Sequence, residues 1–342
     1  IEKPESIVTI GEGWTPLLRL PSLEKGLSVG EIMIKREEQN PSGSFKSRGF
    51  SAAVSLLNEY GIRKVAVPSN GNAASALAAY AGRAGMDCYV FVPQDCPPLI
   101  VEECIQYGAH TFLVDGYIHD AAAIIEDGKD EQGWFNVGTM KEPGRVEGKK
   151  TMGLEIAEQL NWQWPDVILY PTGGGSGIIG LWKAFHELRS LGLVKGDFPR
   201  LISVQEEGCQ PIVDAMELNA QKVVFPEGTV QSKPTGMRVP NPPGGDLVVS
   251  ILRETNGTAV AVSSDEISAA SKTLGAHGIS ASPEGAATWA GFERVYEKGL
   301  IGANDRVVLF NTSHALKYVT CKVDLTIPTV KNYAEWIQRV KK

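Results

Sequence analysis

Lys46 sits in the run Asn40-Pro41-Ser42-Gly43-Ser44-Phe45-Lys46-Ser47-Arg48-Gly49, among small residues that leave room beside its amine. A lysine becomes a Schiff-base nucleophile when its pocket admits a planar aldehyde and lowers its charge. The spacing therefore suits an amine that must reach a carbonyl cofactor. Taken alone, the same run also describes a solvated lysine at a helix start. Three further segments bear on the choice.

In Val65-Ala66-Val67-Pro68-Ser69-Asn70-Gly71-Asn72-Ala73-Ala74-Ser75 an apolar strand runs into a polar turn and an alanine-rich helix. Ligands of parallel α/β sheets bind at the carboxyl ends of strands, and free N–H groups at the next helix start favour an anion such as a carboxylate. Ser69, Asn70, Gly71, Asn72 and Ala73 are candidates for that role, and an ordinary capped turn is the competing account. Val167-Ile168-Leu169-Tyr170-Pro171-Thr172-Gly173-Gly174-Gly175-Ser176-Gly177 repeats the pattern. Its Gly173, Gly174 and Gly175, followed by Ser176 and Gly177, let backbone amides wrap a phosphate. The turn lacks the Lys-Ser/Thr ending of a nucleotide loop and the spacing of a dinucleotide turn, which points to a small phosphorylated cofactor. Arg306-Val307-Val308-Leu309-Phe310-Asn311-Thr312-Ser313-His314-Ala315-Leu316-Lys317 ends in hydroxyls. Thr312 suits a neutral ring nitrogen, where an aspartate would hold the ring protonated. His314 is either a base or a satisfied structural histidine.

The elements that must position these residues alternate between strand and helix, which implies a mostly parallel sheet with helices on both faces. Strands are expected at 32–35, 64–67, 88–92, 111–114, 167–170, 201–204, 259–262 and 307–310, and helices at 51–60, 73–84, 98–107, 119–126, 151–160 and 178–191. The segment 136–148, rich in glycine, proline and charge, reads as the return from a small domain into a larger one. The stretch 232–245, with four prolines and three glycines, reads as a long loop at the entrance or a surface connection.

The 342 residues, 43% apolar, can build two compact domains. A net charge of −7 argues against nucleic acid or an anionic membrane as partner. Cys88, Cys96, Cys104, Cys209 and Cys321 fit neither a zinc ribbon nor a disulfide framework, and read as reduced thiols of a cytoplasmic protein without a metal site. No stretch has the length of a membrane span and no charged-then-apolar signal opens the chain. Because it begins at Ile1, an upstream piece is expected to have been removed.

With Gly11-Glu12-Gly13-Trp14-Thr15-Pro16-Leu17, Arg145-Val146-Glu147-Gly148-Lys149-Lys150-Thr151 and Pro283-Glu284-Gly285-Ala286-Ala287, these segments span almost the whole chain in one order. Together they resemble a threonine synthase-like member of the tryptophan synthase β family, the fold type II pyridoxal phosphate enzymes. The resemblance implies a two-domain α/β fold, three-layer α/β/α with mostly parallel twisted sheets. A large domain, 1–49 plus 141–342, would bind pyridoxal 5'-phosphate, and residues 50–140 would form a small mobile domain. It also implies a homodimer acting on a small amino acid. Lys46 would carry the cofactor and then serve as base at the substrate α-carbon. Asn72 would meet the cofactor's phenolic oxygen, Gly173, Gly174, Gly175, Ser176 and Gly177 its phosphate, and Thr312 its ring nitrogen. The substrate carboxylate would sit on the turn of Ser69, Asn70, Gly71 and Ala73, and an anionic substrate group near Arg145.

The reaction so implied converts O-phospho-L-homoserine into L-threonine and phosphate, by γ-elimination and addition of water at the β-carbon. This chain departs from the pattern in having Ser47 for an aspartate, Ala73 for a threonine, and Thr139-Met140-Lys141-Glu142-Pro143-Gly144 where asparagines are usual. Glu142 would be unfavourable beside a substrate phosphate, and the glycine triplet resembles the serine/threonine dehydratases. Elimination of a β-hydroxyl to a keto acid and ammonia, or a related β-replacement, is thus the alternative. A non-catalytic phosphate or amino-acid binding module is the second.

Overall fold

The computed structural model describes residues 1–224, 230, 232, 234–319 and 329–340. Ten strands among these residues form two sheets. In the larger, β1 (Leu17–Arg19), β2 (Glu31–Arg36), β10 (Arg306–Asn311), β7 (Val167–Pro171), β8 (Arg200–Glu206) and β9 (Thr258–Val262) lie in that order, parallel except where β1 meets β2. In the smaller, β5 (His110–Val114), β4 (Asp87–Pro93), β3 (Lys64–Pro68) and β6 (Phe135–Asn136) are all parallel. The strands read from the sequence are all present. The short β1 and β6 carry too few residues to show a period.

The helices are α1 (Pro21–Glu24), α2 (Lys46–Glu59), α3 (Asn72–Ala84), α4 (Pro98–Gln106), α5 (Ile118–Gln132), α6 (Gly144–Gln159), α7 (Ser176–Ser190), α8 (Pro211–Glu217), α9 (Gly245–Glu254), α10 (Ser264–Ala276), α11 (Pro283–Glu297) and α12 (Tyr333–Val340). They cover both faces of each sheet. Strand side chains alternate between faces: Val307 and Leu309 of β10 pack with α10 and α11, whereas Val308 and Phe310 pack with α6, α7, α8 and α9. The small sheet has α2, α3 and α4 on one face and α5 on the other.

Two helices begin earlier than the sequence suggests, at Lys46 rather than 51 and at Gly144 rather than 151. Tertiary packing explains both. Helices α2 and α6 lie so close that a Cβ on Gly148 would overlap the Arg48 carbonyl oxygen, and one on Gly144 would sit 2.9 Å from Ala53 Cα. The glycines that make 136–148 read as a loop are what let the two backbones meet. Cys88, Cys96, Cys104 and Cys209 are free and buried, and Cys321 lies outside the described residues. Among the described residues no helix is long and apolar enough to cross a membrane.

Candidate active site

Three neighbouring strands, β2, β10 and β7, lead at their carboxyl ends into one cavity of about 300 Å³. Adjacent strands are about 4.8 Å apart, so the segments that follow them converge without long loops. From β2 the chain passes through 37–45 to Lys46 at the first position of α2. From β10 it reaches Thr312, and from β7 it reaches Gly173, Gly174, Gly175, Ser176 and Gly177 at the start of α7. The small sheet completes the lining: β3 delivers Ser69, Asn70, Gly71, Asn72 and Ala73, and β6 delivers Asn136, Gly138, Thr139 and Lys141.

Among the described residues Lys46 Nζ has no hydrogen bond or ion pair. It rests 4.2 Å from the centre of the Phe45 ring. Burial pushes its amine down to about 7, with the Arg145 charge adding to the shift and Glu284 opposing it. A lysine so tuned is half neutral near neutrality, as a nucleophile and base requires. Two residues further on, Arg48 fixes the helix that carries it. Its guanidinium meets Glu37 at 2.6 and 2.8 Å, Glu155 at 2.5 and 2.7 Å, and Thr151 at 2.9 Å. Lys35 joins Glu155 at 2.7 Å. Burial pushes the Glu155 carboxyl up, but the bonds and charges of Arg48 and Lys35 outweigh it and hold the group at about 2.

The glycine triplet is shaped by close approach. Gly175 has φ +88, in the left-handed region, and a Cβ there would lie 2.8 Å from Val248. A Cβ on Gly177 would overlap the Tyr170 ring. The first N–H groups of α7 and of α3 have no helical acceptor, and both helices start at the cavity. Ser69 is spent on its own turn, accepting from Gly71 at 3.0 Å and Ala74 at 3.2 Å. Asn70 donates to the Arg238 carbonyl at 3.2 Å, tying the turn to the loop that lines the entrance. Asn72 donates to the Tyr318 hydroxyl at 2.7 Å, and its Oδ1 is buried without a partner.

Three residues weighed from the sequence stand outside the cavity lining. Arg145 is 2% exposed and does not line the cavity: Nη1 donates to the Val137 carbonyl at 2.8 Å, and the guanidinium lies 4.6 Å from the Phe50 ring centre. Its Nε and Nη2 are buried without partners, and burial, opposed by Glu142, holds it down to about 10. Glu142 does not face the cavity either, because its oxygens accept from the N–H groups of Gly144 and Arg145 at 2.9 Å each and cap α6. His314 also lies outside the lining, where its Nδ1 accepts from the Leu316 N–H at 3.2 Å.

The sequence reading gave no role to Glu284, Tyr170, Thr235 or Lys141, all of which line the cavity. Glu284 follows Ser282 and Pro283 at the start of α11, and that capping pattern was its available signal. Its Oε1 accepts from Gly236 N at 2.9 Å. Asn72 Oδ1, Tyr170 OH, Thr235 Oγ1 and Glu284 Oε2 are all buried without partners in the lining of this one cavity. Buried polar atoms are ordinarily paired. The cavity therefore asks for a small polar ligand.

A family model described as pyridoxal-phosphate dependent enzyme matches residues 8–313. The chain belongs to this family. Threonine synthase of Methanocaldococcus jannaschii is 34% identical over 319 residues, covering 93% of this chain and 78% of that one. Threonine synthase of Methanosarcina acetivorans is 35% identical over 320 residues, with the same coverage of 93% and 78%. The processed form of threonine deaminase isoform 2 from Solanum lycopersicum superposes with a TM-score of 0.75 at 23% identity, covering 91% of this chain and 80% of that one, which shows the shared fold.

The lining fits the family's cofactor. An amine of lowered charge, a turn whose glycines leave no room for a Cβ, and the unpaired polar atoms above match an aldehyde, a phosphate and a polar ring. Turning the Asn72 amide over keeps its contact with Tyr318, the hydroxyl now donating, and presents the NH₂ where Oδ1 stands.

Proposed function

We propose that this chain is a threonine synthase-type lyase that turns O-phospho-L-homoserine and water into L-threonine and phosphate. What carries the reading is the identity of 34–35% to threonine synthases over 93% of the chain, joined to an intact Lys46 in the cavity. Lys46 holds the cofactor; Gly173, Gly174, Gly175, Ser176 and Gly177 hold its phosphate, Asn72 its phenolic oxygen and Thr312 its ring nitrogen. Pyridoxal phosphate, once bound, supplies the electron sink for charge at the substrate α-carbon. Lys46 Nζ takes the α-proton, for which an amine near neutrality is suited. The N–H groups at the start of α3 receive the substrate carboxylate, on the turn of Ser69, Asn70, Gly71 and Ala73 that the Ser69 hydroxyl holds in shape.

Arg145 receives the γ-phosphate on its two unpaired nitrogens. That assignment requires residues 50–140 to move as a small domain against the body of 1–49 plus 141–342. The joints between the two include Asn72 to Tyr318, Asn70 to Arg238, Tyr80 to Glu12, Arg145 to Val137, and the ion pairs of Lys317 with Glu103 and Arg238 with Asp95. The protein is proposed to work as a cytoplasmic homodimer, in keeping with its buried free thiols.

A second reading, serine/threonine ammonia-lyase, is favoured by one observation. Arg145 stands behind the cavity wall rather than in it, where a hydroxyl-bearing substrate would not need it. Incubation with phosphohomoserine, serine and threonine separately, followed for inorganic phosphate and keto acid, tests the two. Phosphate release with threonine formation is expected. Arg145→Ala should lower that turnover by about thirty- to a thousandfold and spare deamination. Keto acid from serine or threonine, with phosphohomoserine inert, would replace the first reading with the second.

A further inference from the structure

Behind the phosphate-binding turn stands a second lysine. Lys149, on α6, has no exposed surface and does not line the cavity itself. Its Nζ donates to the Arg145 carbonyl at 2.8 Å and to Ser176 Oγ at 3.1 Å. Once protonated, this amine has three hydrogens and no lone pair, so it can then only donate. Its bond to Ser176 fills one lone pair of the hydroxyl oxygen and leaves the Ser176 hydrogen to be given elsewhere. Ser176 does line the cavity, as the first residue of α7.

The charges that face Lys149 are mostly positive. Arg145 shares its helix, and Lys46 stands across the Phe45 ring, the two amines lying 5.7 and 4.2 Å from the ring centre. The counter-charge is Glu142, whose oxygens are already engaged by two backbone N–H groups. Burial first, then Arg145 and Lys46, push the Lys149 amine well below the usual lysine range, with Glu142 opposing. A full charge here is unfavourable until an anion arrives.

We propose that Lys149 is the proton-linked counter-charge of the phosphate site. It donates to Ser176 Oγ, turns the Ser176 hydrogen toward the cavity, and gains a proton from solvent when a phosphate monoester dianion settles on the 173–177 turn. The only bond made is the third N–H of Lys149, its proton supplied by solvent and lost again when the phosphate leaves. The inference rests on reading that turn as the phosphate cradle. Because occupancy raises the affinity of Lys149 for its proton, phosphate binding takes up a proton between the free-state and bound-state values. Binding therefore weakens as pH rises through that window.

The test uses the full chain freed of cofactor, with pyridoxine 5'-phosphate as probe. This compound has the phosphate but an alcohol in place of the aldehyde, and cannot bond to Lys46. Affinity is measured from pH 7.5 to 9, and proton exchange by calorimetry in buffers of different ionisation heat. The parent should take up one proton and lose about tenfold in affinity per pH unit. Lys149→Gln keeps a donor for Ser176 but cannot titrate. It should bind about ten- to a hundredfold more weakly at pH 7.5, with a flat pH profile and no uptake. Lys149→Met, if it folds, should bind at least as weakly, and the Gln variant decides if it does not. Uptake that persists in Lys149→Gln would give the proton to Lys46 and overturn the inference, as would parental affinity at every pH. A parent that binds no pyridoxine 5'-phosphate at all would overturn the cradle reading and this inference together.

Discussion

The Lys46 amine, held near 7 by burial and by Arg145 with Glu284 opposing, gives a prediction that needs no substrate. At pH 7.5 an amine of that value is about three-quarters neutral, whereas an ordinary lysine is neutral about once in a thousand molecules, a several-hundredfold difference in nucleophile concentration. Trace acetylation of the cofactor-free protein across pH 5.5–10, with each lysine peptide quantified by mass spectrometry, should show Lys46 labelling rise with a midpoint near 7. Glu284 is the single carboxylate among the described lining residues, and its charge raises the Lys46 value. Glu284→Gln should therefore lower the midpoint further. A midpoint above about 9, or one that Glu284→Gln leaves in place, would refute the electrostatic account of the site.

Arg48→Met should cost about 3–5 kcal/mol, because Glu37 would be left buried without its cation and Glu155 with Lys35 alone; a denaturant midpoint no lower than the parent's would contradict this. The same network predicts an acid limb. Glu155 is depressed in the folded state, so its contribution is whole above the ordinary carboxyl value and is lost as pH falls toward about 2. Stability measured between pH 5 and pH 2 should fall less steeply in Glu155→Gln. Gly177→Ala pushes a methyl into Tyr170, which is wedged against Phe45 and Phe310, and should weaken cofactor binding while costing about 1–3 kcal/mol of stability; fluorescence titration checks the first effect. Thr312→Asp should shift the visible absorbance of the cofactor-loaded protein and its balance of products, and an unchanged spectrum would remove Thr312 from the ring.

Most of the strand framework was legible because β7 and β10 are buried on both faces and read as short apolar runs bounded by turns. The residues proposed to hold the cofactor were picked out for a related reason: apart from Lys46, which follows a longer connection after β2, each lies just past such a run. What was not legible lies where two elements press together. Helix α6 carries Gly144, Arg145, Gly148 and Lys149 on surfaces that are all buried, so it shows no amphipathic period and residues 144–148 read as loop. The chemistry of the same segment was not legible, since spacing alone cannot tell that Glu142 caps a helix or that Arg145 bonds to Val137. Glu284 and Tyr318 join the site from the C-terminal part of the chain. Only the folded arrangement reveals that Tyr318 holds Asn72.

The account turns on Lys46 as the residue that carries pyridoxal phosphate. The purified protein loaded with cofactor is to be reduced with borohydride, digested, and searched for the phosphopyridoxyl mass on lysine peptides. The visible absorbance should vanish on reduction, and the added mass should fall on Lys46, with the Lys149 peptide unmodified. An adduct on any other lysine, or a protein that binds no cofactor and shows no band, would contradict the account.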